Sequence, residues 1–335
     1  MNTIKYSTGH TLLRDQIIAK LSSDQNVILA APRGYGRRSM VHEIAFRLTE
    51  KESNFHICFI SLRNVFSKSD FLKLFTDKVL QIASPKEVKL LRKRFSKDDL
   101  FKLPSHLANR KKIKILICIG EIQNIARFEN PLQFQKELRI LWKEQKNCVY
   151  LFHGNNWHTI WDIFQTPGKP LSPFGRVNIL KMPKLDQLES TIKRQFFDTG
   201  KRITPKAIRQ IITSTDQHPY YTDLLINLSW WRTAFVCDEQ IVKESFEALL
   251  HQFNYHFLHI TDQLTWKQLH YLKAVLENFE GICSAQNLEK YKLGSSSNVT
   301  RIKKSLKKRE MIWFFGKEVY FTDPLFRIWL TDFFG

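Results

Sequence analysis

The residues best placed to do chemistry in this 335-residue chain begin with Ala31-Pro32-Arg33-Gly34-Tyr35-Gly36-Arg37-Arg38-Ser39. They follow an apolar run at 27–30 and lead into a helical pattern over 42–48. Strand, glycine turn and helix, in that order, let backbone amides and a helix N-terminus gather a phosphate. A phosphate loop reads Gly, four residues, Gly, Lys, Ser/Thr. The corresponding positions here are Ala31, Gly36, Arg37 and Arg38. Arg37 keeps a positive charge, but as a planar fork and not as a compact ammonium. Arg38 brings no oxygen to a magnesium ion, and Ser39, which has one, lies roughly 100° further round the helix. For this loop taken alone, an ordinary strand–turn–helix without a ligand is the competing reading.

The second candidate is Glu121, at the end of an apolar run over 113–119. In a nucleoside-triphosphate hydrolase the buried strand facing such a loop ends in Asp then Glu; the Asp organises magnesium and the Glu activates water. Gly120 stands at the Asp position and Glu121 remains. One magnesium-holding position is lost from each motif, so magnesium is not expected and ATP is expected to bind weakly at most. Asn155, after the apolar run 148–152, is a candidate sensor of a terminal phosphate, against plain turn chemistry. His218, in Gln217-His218-Pro219-Tyr220-Tyr221, is a candidate nucleotide contact, against a turn histidine. No metal-ligand set is evident: the five cysteines are scattered without a CxxC, which also argues against a disulfide framework.

The third candidate lies near the C-terminus. Residues from about 262 read as three helices and a hairpin. Thr265 opens the first helix, Ser284 caps a short second, and Gly294-Ser295-Ser296-Ser297-Asn298 starts a third with Val299, Ile302 and Leu306 at helical spacing. Residues 311–315, Gly316-Lys317 and 318–321 form the hairpin. That order describes a winged helix-turn-helix, whose third helix makes base contacts. Ser296, Ser297, Asn298, Arg301, Lys303, Lys304, Lys307 and Lys308 are the candidate DNA-binding residues; six basic residues and no acid occur between Ser295 and Arg309. The formal charge of +20 favours a polyanionic partner, DNA first. A protein-docking wing is the alternative.

These candidates need a scaffold. Strand-like runs at 27–30, 55–62, 113–119 and 148–152 alternate with helical patterns, which implies a parallel sheet covered on both faces. Helical spacing recurs at 12–21, 69–83 and 134–142, and a basic helical stretch from Lys86 to Lys97 reads as a solvated face. Pro167-Gly168-Lys169-Pro170-Leu171-Ser172-Pro173 is the clearest break, and 184–255 reads as helical throughout. The expected domains are 1–180, an α/β nucleotide-type unit; 181–260, a helical lid; and 261–335, the winged helix. No apolar run reaches the roughly 18 residues of a membrane span and the N-terminus lacks a signal-peptide core, so no membrane partner and a cytoplasmic location are expected.

The order of these parts resembles the archaeal and bacterial P-loop ATPase family of AAA+ type, related to STAND NTPases and archaeal origin initiators. Its Gly-Pro-Arg-Arg-x-Gly-Lys-Thr-Ser corresponds to Ala31 through Ser39, its Asp-Glu-x-Gln to Gly120-Glu121-Ile122-Gln123, and its post-strand Gly-Ser to Gly154-Asn155. Its Gly-His-Pro-Tyr-Tyr corresponds to Gln217 through Tyr221, and its Asp-Pro-Leu-Phe-Arg-x-Trp is matched in full by Asp323-Pro324-Leu325-Phe326-Arg327-Ile328-Trp329. Its N-terminal Gly-Arg-Glu appears as Gly9-His10-Thr11. The resemblance implies an α/β fold with a P-loop AAA+-type parallel sheet, a helical lid and a C-terminal winged helix-turn-helix, together with ATP binding and hydrolysis. The replaced residues turn that expectation toward a DNA- or partner-binding scaffold with weak or no hydrolysis. The alternatives are an active ATPase using Arg37 and Glu121, and a protein-interaction module pairing with an active paralogue or forming a homo-oligomer.

Overall fold

Strands β1 (Val27–Ala30), β2 (Phe55–Ser61), β3 (Lys114–Gly120), β4 (Cys148–Gly154) and β5 (Val177–Ile179) form one parallel sheet in the order β2-β3-β4-β1-β5. The computed structural model describes residues 11–95, 100–143, 145–180, 184–277, 281–315 and 318–335. The Gly9-His10 part of the N-terminal motif, Lys97, the start of the lid at 181 and the Gly316-Lys317 turn lie outside the described residues, as do the side chains of Leu141, Pro173 and Phe315.

The central strands are continuous apolar runs because both faces are covered. Helices α1 (Thr11–Ser22) and α2 (Arg37–Lys51) pack on one face, where period-two alternation presents Val27, Leu29, Leu116, Cys118, Val149 and Leu151. Helices α3 (Lys68–Leu80), α4 (Pro85–Arg94), α5 (Leu103–Lys111), α6 (Pro131–Lys143) and α7 (Trp157–Gln165) follow in the chain. Phe71 and Phe75 of α3, Leu107 of α5, Phe134 of α6 and Phe164 of α7 cover the other face, against Ile117, Ile119, Tyr150 and Phe152. The chain leaves β1 for the far edge at β2 and later passes beyond β1 to β5. That reversal opens a crevice at the carboxyl ends of β1 and β4, where open α/β sheets take their ligands. The 167–173 break does not end the sheet; β5 comes after it and adds a fifth strand to the four expected.

The chain divides into two compact units, one within Lys5–Pro183 and one within Lys184–Gly335. The second holds α8 (Leu185–Phe197), β6 (Arg202–Ile203), α9 (Pro205–Ser214), α10 (Pro219–Arg232), β7 (Val236–Cys237), α11 (Glu239–Asp262), α12 (Trp266–Leu276), α13 (Ala285–Lys290), α14 (Ser296–Lys308), β8 (Ile312–Phe315), β9 (Glu318–Phe321) and α15 (Pro324–Phe334). It is helical as expected apart from the two-residue parallel pair β6–β7 and the antiparallel wing β8–β9. Thr204, Thr265, Ser284 and Ser295 each cap the helix that follows by accepting an amide hydrogen bond. Among the described residues no helix is long and apolar enough to cross a membrane.

The two most specific motifs meet inside this unit. The Tyr221 hydroxyl donates to Asp323 Oδ2 at 2.6 Å, while Asp323 Oδ1 accepts the amides of Leu325 and Phe326 at 3.0 Å and so caps α15. Trp329 Nε1 donates to Asn254 Oδ1 at 2.9 Å. Asp323→Ala removes a cap and the partner of a buried hydroxyl, and is expected to cost about 2 kcal/mol. Tyr221→Phe loses only the cross-link and is expected to cost about 1 kcal/mol. Urea unfolding of the two variants measures both.

Candidate functional site

Three adjacent strand ends build the site. The Ala31 amide donates to the Gly154 carbonyl at 3.1 Å, which pins the start of the loop to the end of β4. Gly34 and Gly36 take φ of 79° and 70°, a conformation that disfavours other residues. Ala31 is buried and Pro32 and Tyr35 are half-buried, whereas Arg33, Gly34, Gly36, Arg38 and Ser39 are exposed.

Arg37, the first residue of α2, turns inward and is only 8% exposed. Its Nη2 donates to Glu121 Oε1 at 2.8 Å, and Arg38 Nη2 reaches the same oxygen at 3.4 Å. Gln123 Nε2 donates to Glu121 Oε2 at 3.0 Å and to Asn155 Oδ1 at 2.6 Å. Glu121 itself takes φ 56°, an uncommon backbone for a residue with a side chain, directly after β3. The structure thus brings Arg37, Arg38, Glu121 and Asn155 into one network, joined by Gln123. The sequence had offered Gln123 only as a motif letter. Arg37 Nε and Nη1 are also buried and have no hydrogen-bond partner among the described residues.

Burial alone would raise the Glu121 carboxyl. The Arg37 charge, with hydrogen bonds from Gln123, Arg38 and Arg37, holds it below its ordinary value instead. Burial presses the Arg37 guanidinium downward against the pull of Glu121. Both partners are therefore charged at neutral pH.

The strand expected to stop at 152 continues through His153 and Gly154. His153 is 8% exposed and lies directly across from Gly120 in the β3–β4 register. Burial, then the Arg37 charge, lowers its imidazole to about 3. The folded protein therefore refuses a proton that the unfolded chain accepts near 6.5. The stability this neutral ring preserves is present above about pH 6.5 and is lost as pH falls toward 3. His153 is expected to lower stability at pH 5 by about 2 kcal/mol relative to pH 7. Denaturant titrations at the two pH values should show that loss shrinking in His153→Phe.

His218 belongs to the second unit. It is buried, precedes α10 as its cap residue, and its ring lies 4.7 Å from that of Tyr221. On α14, Val299, Ile302 and Leu306 are buried while Ser296, Ser297, Arg301, Lys304, Lys307 and Lys308 are exposed. Lys303 is half-buried, with its Nζ 5.9 Å from the Phe314 ring centre, and Asn298 spends its side-chain amide on the Leu293 carbonyl at 2.7 Å.

Residues 255–332 match the family model described as a "probable winged helix domain". No curated protein matches the chain in sequence. Among solved structures, the Walker-type ATPase PABY2304 of Pyrococcus abyssi superposes with a TM-score of 0.70 at 14% identity, covering 96% of this chain and 95% of that one. Aeropyrum pernix ORC2 in ADPNP–ADP complexes gives 0.65 at 12% identity, over 99% and 94%. Aeropyrum pernix ORC1 in complex with DNA gives 0.55 at 11% identity, over 96% and 92%. At these identities the likeness is one of fold: the chain has the AAA+ architecture of the ORC/Cdc6 and Walker-type ATPase structures, closed by a C-terminal winged helix domain.

Proposed function

We propose that this chain is a DNA-binding scaffold built on an ATPase fold, with ATP bound weakly or not at all and little or no hydrolysis. On this reading 1–180 is the nucleotide-type unit, 181–260 the lid and 261–335 the DNA-contacting domain. The observation that carries it is the engagement of Glu121. Its two oxygens are held by Arg37, Arg38 and Gln123, so the carboxylate that would activate water is tied into an internal ion pair. The positions that would steady a transferring phosphoryl group are changed with it, and such transfer depends almost wholly on positioning and charge. The exposed basic face of α14 supports the DNA half, as does the fold shared with a structure solved on DNA.

The test is ATP turnover with magnesium, run on the wild type and Glu121→Gln, beside duplex binding at rising salt. The expected result is background turnover that the variant does not change, together with salt-sensitive DNA binding. Magnesium-dependent turnover abolished by Glu121→Gln would establish the active-ATPase alternative.

A further inference from the structure

Magnesium is the ion this fold implies, and the residues here can be tested against it. Alternation along β3 and β4 places Gly120 and His153 on the α1–α2 face, next in series after Cys118 and Leu151. A side chain at position 120 would emerge beside His153. A Cβ built there lies 2.7 Å from His153 Cε1 and 3.1 Å from Nε2, closer than real Cβ contacts come. Gly120 lies outside the left-handed region, so what opposes a larger residue is space alone: the His153 ring would have to shift. The acid missing from position 120 and the ring present at 153 are therefore two halves of one change. A cation at this point would meet the Arg37 guanidinium, and the nearest carboxylate, Glu121, is already paired with it. Magnesium at such a loop needs one or two protein oxygens beside water and phosphate, and Gly120 and Arg38 supply none at the two positions that would give them. The site does not fit magnesium.

Arg37 is more than nine-tenths buried at the start of the long helix α2, with Nε and Nη1 lacking partners among the described residues. That enclosed positive charge repels a cation placed beside it, and the positive end of the helix adds to its field. We propose that His153 fills the place of the metal-holding carboxylate, so that any phosphate ligand of this loop is held with no divalent cation. This rests on the reading of the loop as a nucleotide-type site without hydrolysis. It adds the residue that excludes the metal.

Two measurements on the full chain test it. The first is a melting cycle over Gly120→Ala and His153→Ala. Gly120→Ala is expected to lower Tm by about 4 °C or more when His153 is present, and by under about 1 °C when it is alanine. Equal losses in the two backgrounds overturn the placement of His153. The second is calorimetric titration with inorganic pyrophosphate in EDTA and in magnesium. Magnesium is expected not to tighten binding. Tenfold tighter binding in magnesium overturns the metal-free assignment. No binding in either buffer agrees with a loop that magnesium does not complete, and the melting cycle then decides the placement of His153. Neither result bears on DNA binding, by which the scaffold reading is judged separately.

Discussion

Glu121→Ala is expected to destabilise the first unit by about 3–5 kcal/mol, the scale of leaving a buried charge uncompensated. Arg37 is 8% exposed and forms an ion pair with Glu121, whose side chain is 11% exposed, so solvent does little to screen either partner. Two of the guanidinium nitrogens already lack hydrogen-bond partners among the described residues, and removing the carboxylate orphans the third. Gln123 would lose an acceptor in the same step. Glu121→Gln keeps the shape and one acceptor and is expected to cost about half as much. Arg37→Met combined with Glu121→Leu removes both charges and is expected to recover most of the loss, because two apolar groups need no counter-charge. Urea unfolding of the full chain measures all three. A loss under about 1 kcal/mol for Glu121→Ala would mean the pair does not hold the loop to β3. The Glu121 engagement invoked for the scaffold reading would then fail with it.

What could be read from the sequence follows from where the side chains ended up. The runs 27–30 and 114–120 were legible because strands buried on both faces leave no polar alternation; the edge strand at 55–61, with His56, Phe59 and Ser61 exposed, was legible from its apolar content instead. β5 was missed because Val177-Asn178-Ile179 is too short for a pattern and follows a proline-rich break. The end of β4 was missed for a different reason. His153 and Gly154 carry turn-type composition, yet Gly154 is required by Gln123, whose Oε1 would lie 1.9 Å from a Cβ there. Gly120 read as the loss of an acid, and only the register shows the ring that accompanies it. The Gln-His-Pro-Tyr-Tyr and Asp-Pro-Leu-Phe-Arg-x-Trp segments were recognisable, but their work in this chain was not. The Tyr221–Asp323 bond and the Trp329–Asn254 bond tie helices of the second unit together.

Neutralising Arg301, Lys304, Lys307 and Lys308 is expected to reduce the salt dependence of DNA binding by about 3 to 4 units of log–log slope, at roughly 0.9 per phosphate contact. At about 0.1 M salt that corresponds to about three orders of magnitude in affinity, the largest effect expected anywhere in the molecule. The choice of residues comes from the helix. Val299, Ile302 and Leu306 fix the buried side of α14. Ser297, Arg301, Lys304 and Lys308, spaced four, three and four, fall on the side directly opposite, with Lys307 on its flank. Lys303 leans toward the Phe314 ring of the wing, and Asn298 is occupied by the Leu293 carbonyl, so these two are expected to contribute little on their own. Lys303→Ala therefore serves as the control, with a slope within about one unit of wild type. Because all four substituted residues are exposed, the quadruple variant should melt with the wild type, and a binding loss cannot be assigned to unfolding. An unchanged slope in the quadruple variant would remove α14 as the DNA contact and leave the winged helix as a protein-docking element.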